Sequence, residues 1–299
     1  PLELSECIMR AQKATKFPGH DIDLAQELGL RPGQSIELLK ELHILTRDGR
    51  VNQDSRRKLK QVMHLLHFIE ERLRGVELSE AGPVIVDHGA GKSYLGFIIH
   101  DLILRALGRG QVIGVETREA LVAHSRALAE RCGFTRMRFL HLSAAEALGS
   151  PDIPARVDMV TALHACDTAT DDAMAFGLAR EAAVMVLVPC CQAEVAACLR
   201  AGKAMQLART PLSELWRHPL HTREVGSQLT NVLRCLCLEA HGYQVTVTEL
   251  VGWEHSLKNE LILAERTGRR KHSAGERLQA LLAQFGLDQA LAARFPLPT

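Results

Sequence analysis

"VIVDHGAGKSYLG", residues 84–96, runs an apolar segment, Val84 to Val86, into an acid, two glycines and a Lys-Ser pair. A strand that turns through glycines into a helix can cradle a nucleotide-type ligand on its backbone amides. Three ligands compete for this turn. A phosphate-wrapping ATP loop needs its first glycine five residues before Gly91, where Val86 stands inside the strand, so the loop is too short. A dinucleotide fingerprint starting at Gly89 needs glycine or alanine at its sixth place, and Tyr94 would crowd a pyrophosphate there. S-adenosylmethionine fits better. An acid followed by Gly89-x-Gly91 lets the chain turn tightly beneath the methionine part, with Asp87 receiving its ammonium and Tyr94 counted among the cofactor-binding residues. Glu116 ends the next apolar run, "QVIGVE", where a carboxylate can accept both ribose hydroxyls. The adenine edge falls in "HLSAAEAL", with Ser143 where an aspartate is usual and Ala144 beside it.

Outward from this turn, short apolar runs alternate with amphipathic helices. Strands are expected at 84–87, 111–116, 137–142, 157–163 and 184–188, and helices at 93–107, 118–132, 169–181, 192–201 and 227–241. Repeated strand–helix units imply a mostly parallel, doubly wound sheet. "YQVTVTELV" and "NELILAE" then follow in quick succession, and two strands joined by a short loop must be antiparallel. The fold class is α/β: seven strands ending in a hairpin resemble the class I methyltransferase variant of the Rossmann fold.

Three regions result: 1–80, 81–266 and a tail, 267–299. The first carries helical periodicity, with "DIDLAQELGL", then "SIELLKELHIL" capped by Ser35, then "TRDGRVN" with its Asp-Gly hairpin signal. Helix, turn, helix, hairpin resembles a small winged-helix module, a unit that binds nucleic acid or merely packs. A longer helix spans 55–74, with Leu59, Val62, Leu66, Ile69 and Leu73 as its stripe. The tail holds a basic patch and short helices.

Hydrophobic residues at 46% and charged ones at 24% suffice for an ordinary core. A formal charge of +1 demands no polyanion or membrane, so any basic surface is local. Apolar runs fall short of a membrane span, and no cleavable signal is legible. Eight irregularly spaced cysteines read as reduced thiols, which places the protein in the cytoplasm. Oligomeric state is not readable.

The acceptor side of such a sheet lies beyond its fourth and fifth strands. There "LHACDTATDD" offers His164, Cys166, Asp167, Asp171 and Asp172, and "VPCCQAE" offers Cys190, Cys191 and Gln192. Asp167 or His164 can act as a base or orient an acceptor; one positioned group can suffice for in-line methyl transfer. Cys166 with Cys190 or Cys191 can act as thiol nucleophile and assistant. His164 and the three cysteines could instead ligate zinc, or the thiols could pack inertly. No metal is assigned. Further on, "LSELWRHPLHTREVGSQLTN" brings Trp216, Arg217, His218, His221 and Arg223 to the substrate edge, to stack on and neutralise a nucleotide or merely to cap the sheet. "GWEHSLKNELIL" adds Lys258 and Asn259 at the same mouth.

"DHGAGKSYL", "LHACDTATD" and "VPCCQ" resemble the methyltransferase domain that accompanies a glutathione-transferase-like region in some eukaryotic proteins. More distantly they resemble the acceptor-stem tRNA 2′-O-methyltransferases, and the helix carrying "RRKLKQVMHLL" resembles the one leading into that domain. The likeness covers roughly 55–266. Asp167 departs from a glycine of the tRNA enzymes and Gln192 from a histidine. The resemblance implies an S-adenosylmethionine-dependent methyltransferase acting on RNA, rRNA or tRNA. A protein or small-molecule methyltransferase, or an inactive S-adenosylmethionine-binding regulator, are the alternatives.

Overall fold

The computed structural model describes residues 29–31, 33–46, 53–163, 165, 167–189, 193–202, 210–250 and 260–298. The helix expected from residue 21, nearly all of the hairpin expected at 46–52, and His164, Cys166, Cys190, Cys191, Gln192, Lys258 and Asn259 lie outside the described residues.

Ser35 opens helix α1 (Ile36–Glu41), its hydroxyl accepting from the Leu38 amide at 3.1 Å. Helix α2 (Gln53–Arg74) presents the expected stripe, Leu59, Val62, Leu66, Ile69 and Leu73, all buried. Strand β1 (Val84–His88) is buried from Ile85 onward and alternates between two cores. Ile85 packs with α1 and α2 on one face, and Val86 joins the opposite core. A strand covered on both faces is what an internal parallel position requires.

Helix α3 is expected as a plain helix over 93–107. Instead Tyr94–Ile99 passes into a π-helical stretch, His100–Leu104, before Arg105–Leu107, and Gly108 ends it at φ 68°. The widened turn buries two polar residues in succession. Asp101 accepts from the Ser35 amide at 2.7 Å and pairs with Arg105, and His100 stacks on Phe134 with ring centroids 4.2 Å apart. Asp101 thereby ties the start of α1 to the helix after β1.

Next come β2 (Gln111–Glu116), α4 (Glu119–Arg131), β3 (Met137–His141), α5 (Ala144–Gly149), β4 (Met159–Leu163), α6 (Ala169–Ala179), β5 (Val184–Val188) and α7 (Glu194–Gly202). A 3₁₀ turn, Pro211–Trp216, leads into α8 (Pro219–Ala240), then β6 (Tyr243–Glu249) and β7 (Glu260–Arg266), with α9 (His272–Gln284) and α10 (Asp288–Leu291) closing the chain. Helix α8 starts at Pro219 rather than at 227, because proline suits a first helical position. Much of the expected polar insertion is therefore the first half of a long helix.

The seven strands run β3-β2-β1-β4-β5-β7-β6. The order reverses between β1 and β4, which opens a crevice at the carboxyl edge. Strand β7 is antiparallel to both β5 and β6, as a short connection demands. Glycine at 226 lets α8 lie directly on α7: a Cβ there would come within 2.8 Å of Ala196. The tail helices fold back onto this side, burying Leu278, Leu282 and Phe295 in the core that holds Val86.

Candidate active site

The donor side is built at the ends of β1 and β2. Beyond β1, Gly89 and Gly91 take φ of 67° and 58°, left-handed values that glycine adopts without strain. Asp87 is buried, and its carboxylate accepts from the hydroxyls of Ser93 at 3.1 Å and Thr161 at 2.9 Å. Burial pushes its pKa up to about 6, against the pull of those bonds and of the Gly96 amide. Glu116 ends β2 and accepts from the amides of Gly91 at 2.8 Å and Arg118 at 3.0 Å. The Arg118 guanidinium adds bonds of 2.9 and 3.1 Å to its two oxygens. Burial alone would raise the Glu116 pKa, but these donors outweigh it and hold it at about 2. The glycine turn is thus tied by its own backbone to the second strand's carboxylate.

Gly96 belongs to this cradle and sequence reasoning missed it. A Cβ there would meet Ser93 Oγ at 2.4 Å, Val112 Cγ1 at 3.3 Å and Asp87 Oδ2 at 3.4 Å. The close-approach glycine denied at Tyr94 stands two places later; Tyr94 itself opens α3, partly buried against the core. The readable signal was a glycine inside an otherwise bulky helix.

Ser143 caps α5: its hydroxyl accepts from the Glu146 amide at 3.3 Å while the Glu146 carboxylate accepts from the Ser143 amide at 2.7 Å. The Leu142 amide donates to the Glu116 carbonyl at 3.3 Å, so Ser143 and Ala144 lie beside the end of β2. Next to Asp87, His88 is buried, its ring 5.7 Å from that of Phe176, and neither ring nitrogen has a hydrogen-bond partner. Burial pulls its pKa down to about 4, keeping the imidazole neutral.

At the acceptor edge, Asp167 (φ 51°) follows β4, and its Oδ1 accepts from the amides of Ala193 at 2.8 Å and Glu194 at 3.1 Å. One oxygen of the expected base is therefore committed to capping α7. Asp171 pairs with Arg234 of α8, and Asp172 with Arg294 of the tail. Neither arginine was singled out from the sequence; a lone arginine outside a motif reads as surface charge.

Trp216, expected to stack on a nucleotide, is half-buried edge-on against Phe285, with centroids 6.2 Å apart. Its neighbours stay outside. Arg217 pairs with Glu214 and Arg223 with Glu224, both at 3.1 Å, and the exposed rings of His218 and His221 meet at 5.3 Å. Among the described residues no group of His, Cys, Asp or Glu is placed to hold a metal. Of the described cysteines, Cys235 and Cys237 have their thiol pKa pushed up to about 12, chiefly by burial, which makes them poor nucleophiles.

The residues present fit S-adenosylmethionine: a left-handed glycine turn, a buried carboxylate beneath it and an ionised carboxylate at the next strand end. Strand order and this cradle are those of a Rossmann-like, S-adenosylmethionine-dependent methyltransferase. The sequence comparison points the same way: residues 57–198 match the family model described as a methyltransferase domain.

Solved structures similar to this chain include a precorrin-6y C5,15-methyltransferase from Geobacter metallireducens, 17% identical, covering 74% of this chain and 93% of that one at a TM-score of 0.39. An rRNA methylase from Streptococcus thermophilus is 8% identical, covering 67% and 95% at 0.40. Aeropyrum pernix fibrillarin with bound S-adenosylmethionine is 14% identical, covering 61% and 66% at 0.38. Likeness this distant does not bear on the acceptor. No curated protein matches the sequence. Among the described residues, no helix is long and apolar enough to cross a membrane.

Proposed function

We propose that this protein methylates RNA, rRNA or tRNA, in the cytoplasm, on an acceptor held at the carboxyl edge between the chain segments after β4 and β5. The carrying observation is the 2.8 Å bond from the Gly91 amide to Glu116, which makes one rigid donor cradle opening toward that edge. Bound S-adenosylmethionine supplies an electrophilic methyl on a sulfonium. Asp87 holds its ammonium, Glu116 its ribose hydroxyls, and the segment at Ser143 and Ala144 the adenine edge. Methyl transfer would require the acceptor's lone pair in line with the carbon–sulfur bond and a residue of the rim to take the acceptor's proton.

His164 and the second carboxylate oxygen of Asp167 are the groups proposed to take or orient that proton, with Cys166, Cys190 and Cys191 flanking the acceptor. Exposed Arg217, His218, His221 and Arg223, with Lys258 and Asn259, are proposed to meet the phosphates; Trp216 serves packing. The preference for RNA rests on this exposed polar segment, the winged-helix-like pattern in 1–80 and the resemblance to tRNA methyltransferases.

Labelled methyl transfer into fractionated cellular RNA, protein and small metabolites tests the reading. Label is expected in RNA. Label confined to protein or metabolites would overturn the acceptor, and cofactor binding with no transfer into any fraction would make the protein a regulator.

A further inference from the structure

We propose that Arg234 is the positioning residue of the acceptor rim, holding Asp167 and, through it, the start of α7 in one geometry; this rests on reading that edge as the acceptor side. Arg234 lies in α8, outside every motif, and its side chain is 0% exposed. Its Nε donates to Asp171 Oδ1 at 2.6 Å, and one terminal nitrogen donates to Asp171 Oδ2 and to the Asp167 carbonyl, both at 3.0 Å. The other terminal nitrogen donates to Asn231 Oδ1 at 2.9 Å, and Asn231 in turn donates to Glu260, the first residue of β7, at 2.6 Å.

Asp167 carries the constraint onward. Its carbonyl is held by Arg234, while its carboxylate caps α7 through the Ala193 and Glu194 amides. Its left-handed backbone, φ 51°, is a conformation that persists when surrounding bonds over-determine it. One guanidinium therefore reaches the β4 segment directly, the β5 segment through Asp167, and the start of β7 through Asn231.

A stability role alone explains this poorly, because buried ion pairs often contribute no more than well-packed apolar residues of similar volume. What the planar fork adds is fixed geometry among several acceptors at once, which a lysine ammonium does not reproduce.

The test follows amide exchange residue by residue in the full chain, with S-adenosylhomocysteine affinity and methyl transfer into an RNA pool measured in parallel. In Arg234→Lys, protection at Ala193 and Glu194 is expected to fall about tenfold or more. The Gly91 and Arg118 amides, bonded to Glu116, should keep theirs, and S-adenosylhomocysteine should bind as before. Turnover should drop about a hundredfold with the cofactor KM unchanged, the cost of a misplaced acceptor.

Unchanged protection at Ala193 and Glu194, or an equal loss at Gly91 and Arg118, would overturn the proposal. The charge-neutral pair Arg234→Met with Asp171→Leu restores packing without the fork and must still show the local loss; recovered protection there also overturns it. If wild type transfers nothing to RNA, the acceptor reading fails while the exchange result still decides the role of Arg234.

Discussion

The two halves of the crevice are built by opposite means. On the donor side, Asp87, Gly89, Gly91, Ser93 and Gly96 lie within a few residues of one another, and Glu116 closes the cradle from the neighbouring strand. On the side proposed for the acceptor, Asp167 and Asp171 meet Arg234 from α8, and Asp172 and Glu194 meet Arg294 from the tail. The donor cradle is local backbone geometry finished with two carboxylates; the rim is a long-range charge network. The common part of a reaction can thus be encoded in one short stretch, while the particular part is spread through the chain.

This contrast can be broken at its weakest joints. The largest effect is expected at Gly96. Gly96→Val forces a Cβ onto Ser93 and toward Asp87, costing about 1–3 kcal/mol by overpacking. Thermal unfolding should show the loss and calorimetry a weakened cofactor, whereas rim amides at Ala193 and Glu194 keep their protection. An unaltered melting temperature would show that the cradle is looser than its geometry implies. Next, Glu116→Gln keeps the shape but removes the charge that ribose hydroxyls would meet, and should weaken cofactor binding about tenfold. Equal binding in wild type and variant, by calorimetry, would remove Glu116 from the site.

The smallest effect is a pH dependence. Asp87 loses its charge as pH falls through about 6, so cofactor affinity should decline across that range in wild type. Asp87→Asn should bind more weakly and with a flat profile. The contribution to folding has the opposite sign. The folded pKa of about 6 lies above the ordinary 3.8, so the fold carries a penalty above about pH 6 that is relieved as pH falls toward 3.8. A wild-type binding profile flat between pH 5 and 7 would mean that Asp87 does not hold the ammonium.

What the sequence disclosed follows the same division. Strands β2 and β5 occupy the expected residues, and β1 runs one further, because apolar runs bounded by turn residues state their own limits. The antiparallel hairpin followed from a connection too short for a crossover. The π-helical stretch did not show, since His100 and Asp101 read as the polar side of an ordinary amphipathic helix. The start of α8 was hidden by polar residues, 217–224, that read equally as a loop. Asp87 and Glu116 were readable as acids at strand ends. Arg234 was not, because nothing within α8 says that its neighbour in space is Asp171. Trp216 could be read either as a stacking platform or as a cap on the sheet, and its contact with Phe285 from the tail was equally hidden in the sequence.

The missing side chain at Gly226 has a consequence for how such an enzyme could change its preferences. With 2.8 Å between the place of a Cβ and Ala196, the contact leaves no clearance, and even one added methyl would prise α7 from α8. New acceptors would have to be accommodated by exchanging side chains along the rim, because the helices that carry it have no room to be re-spaced.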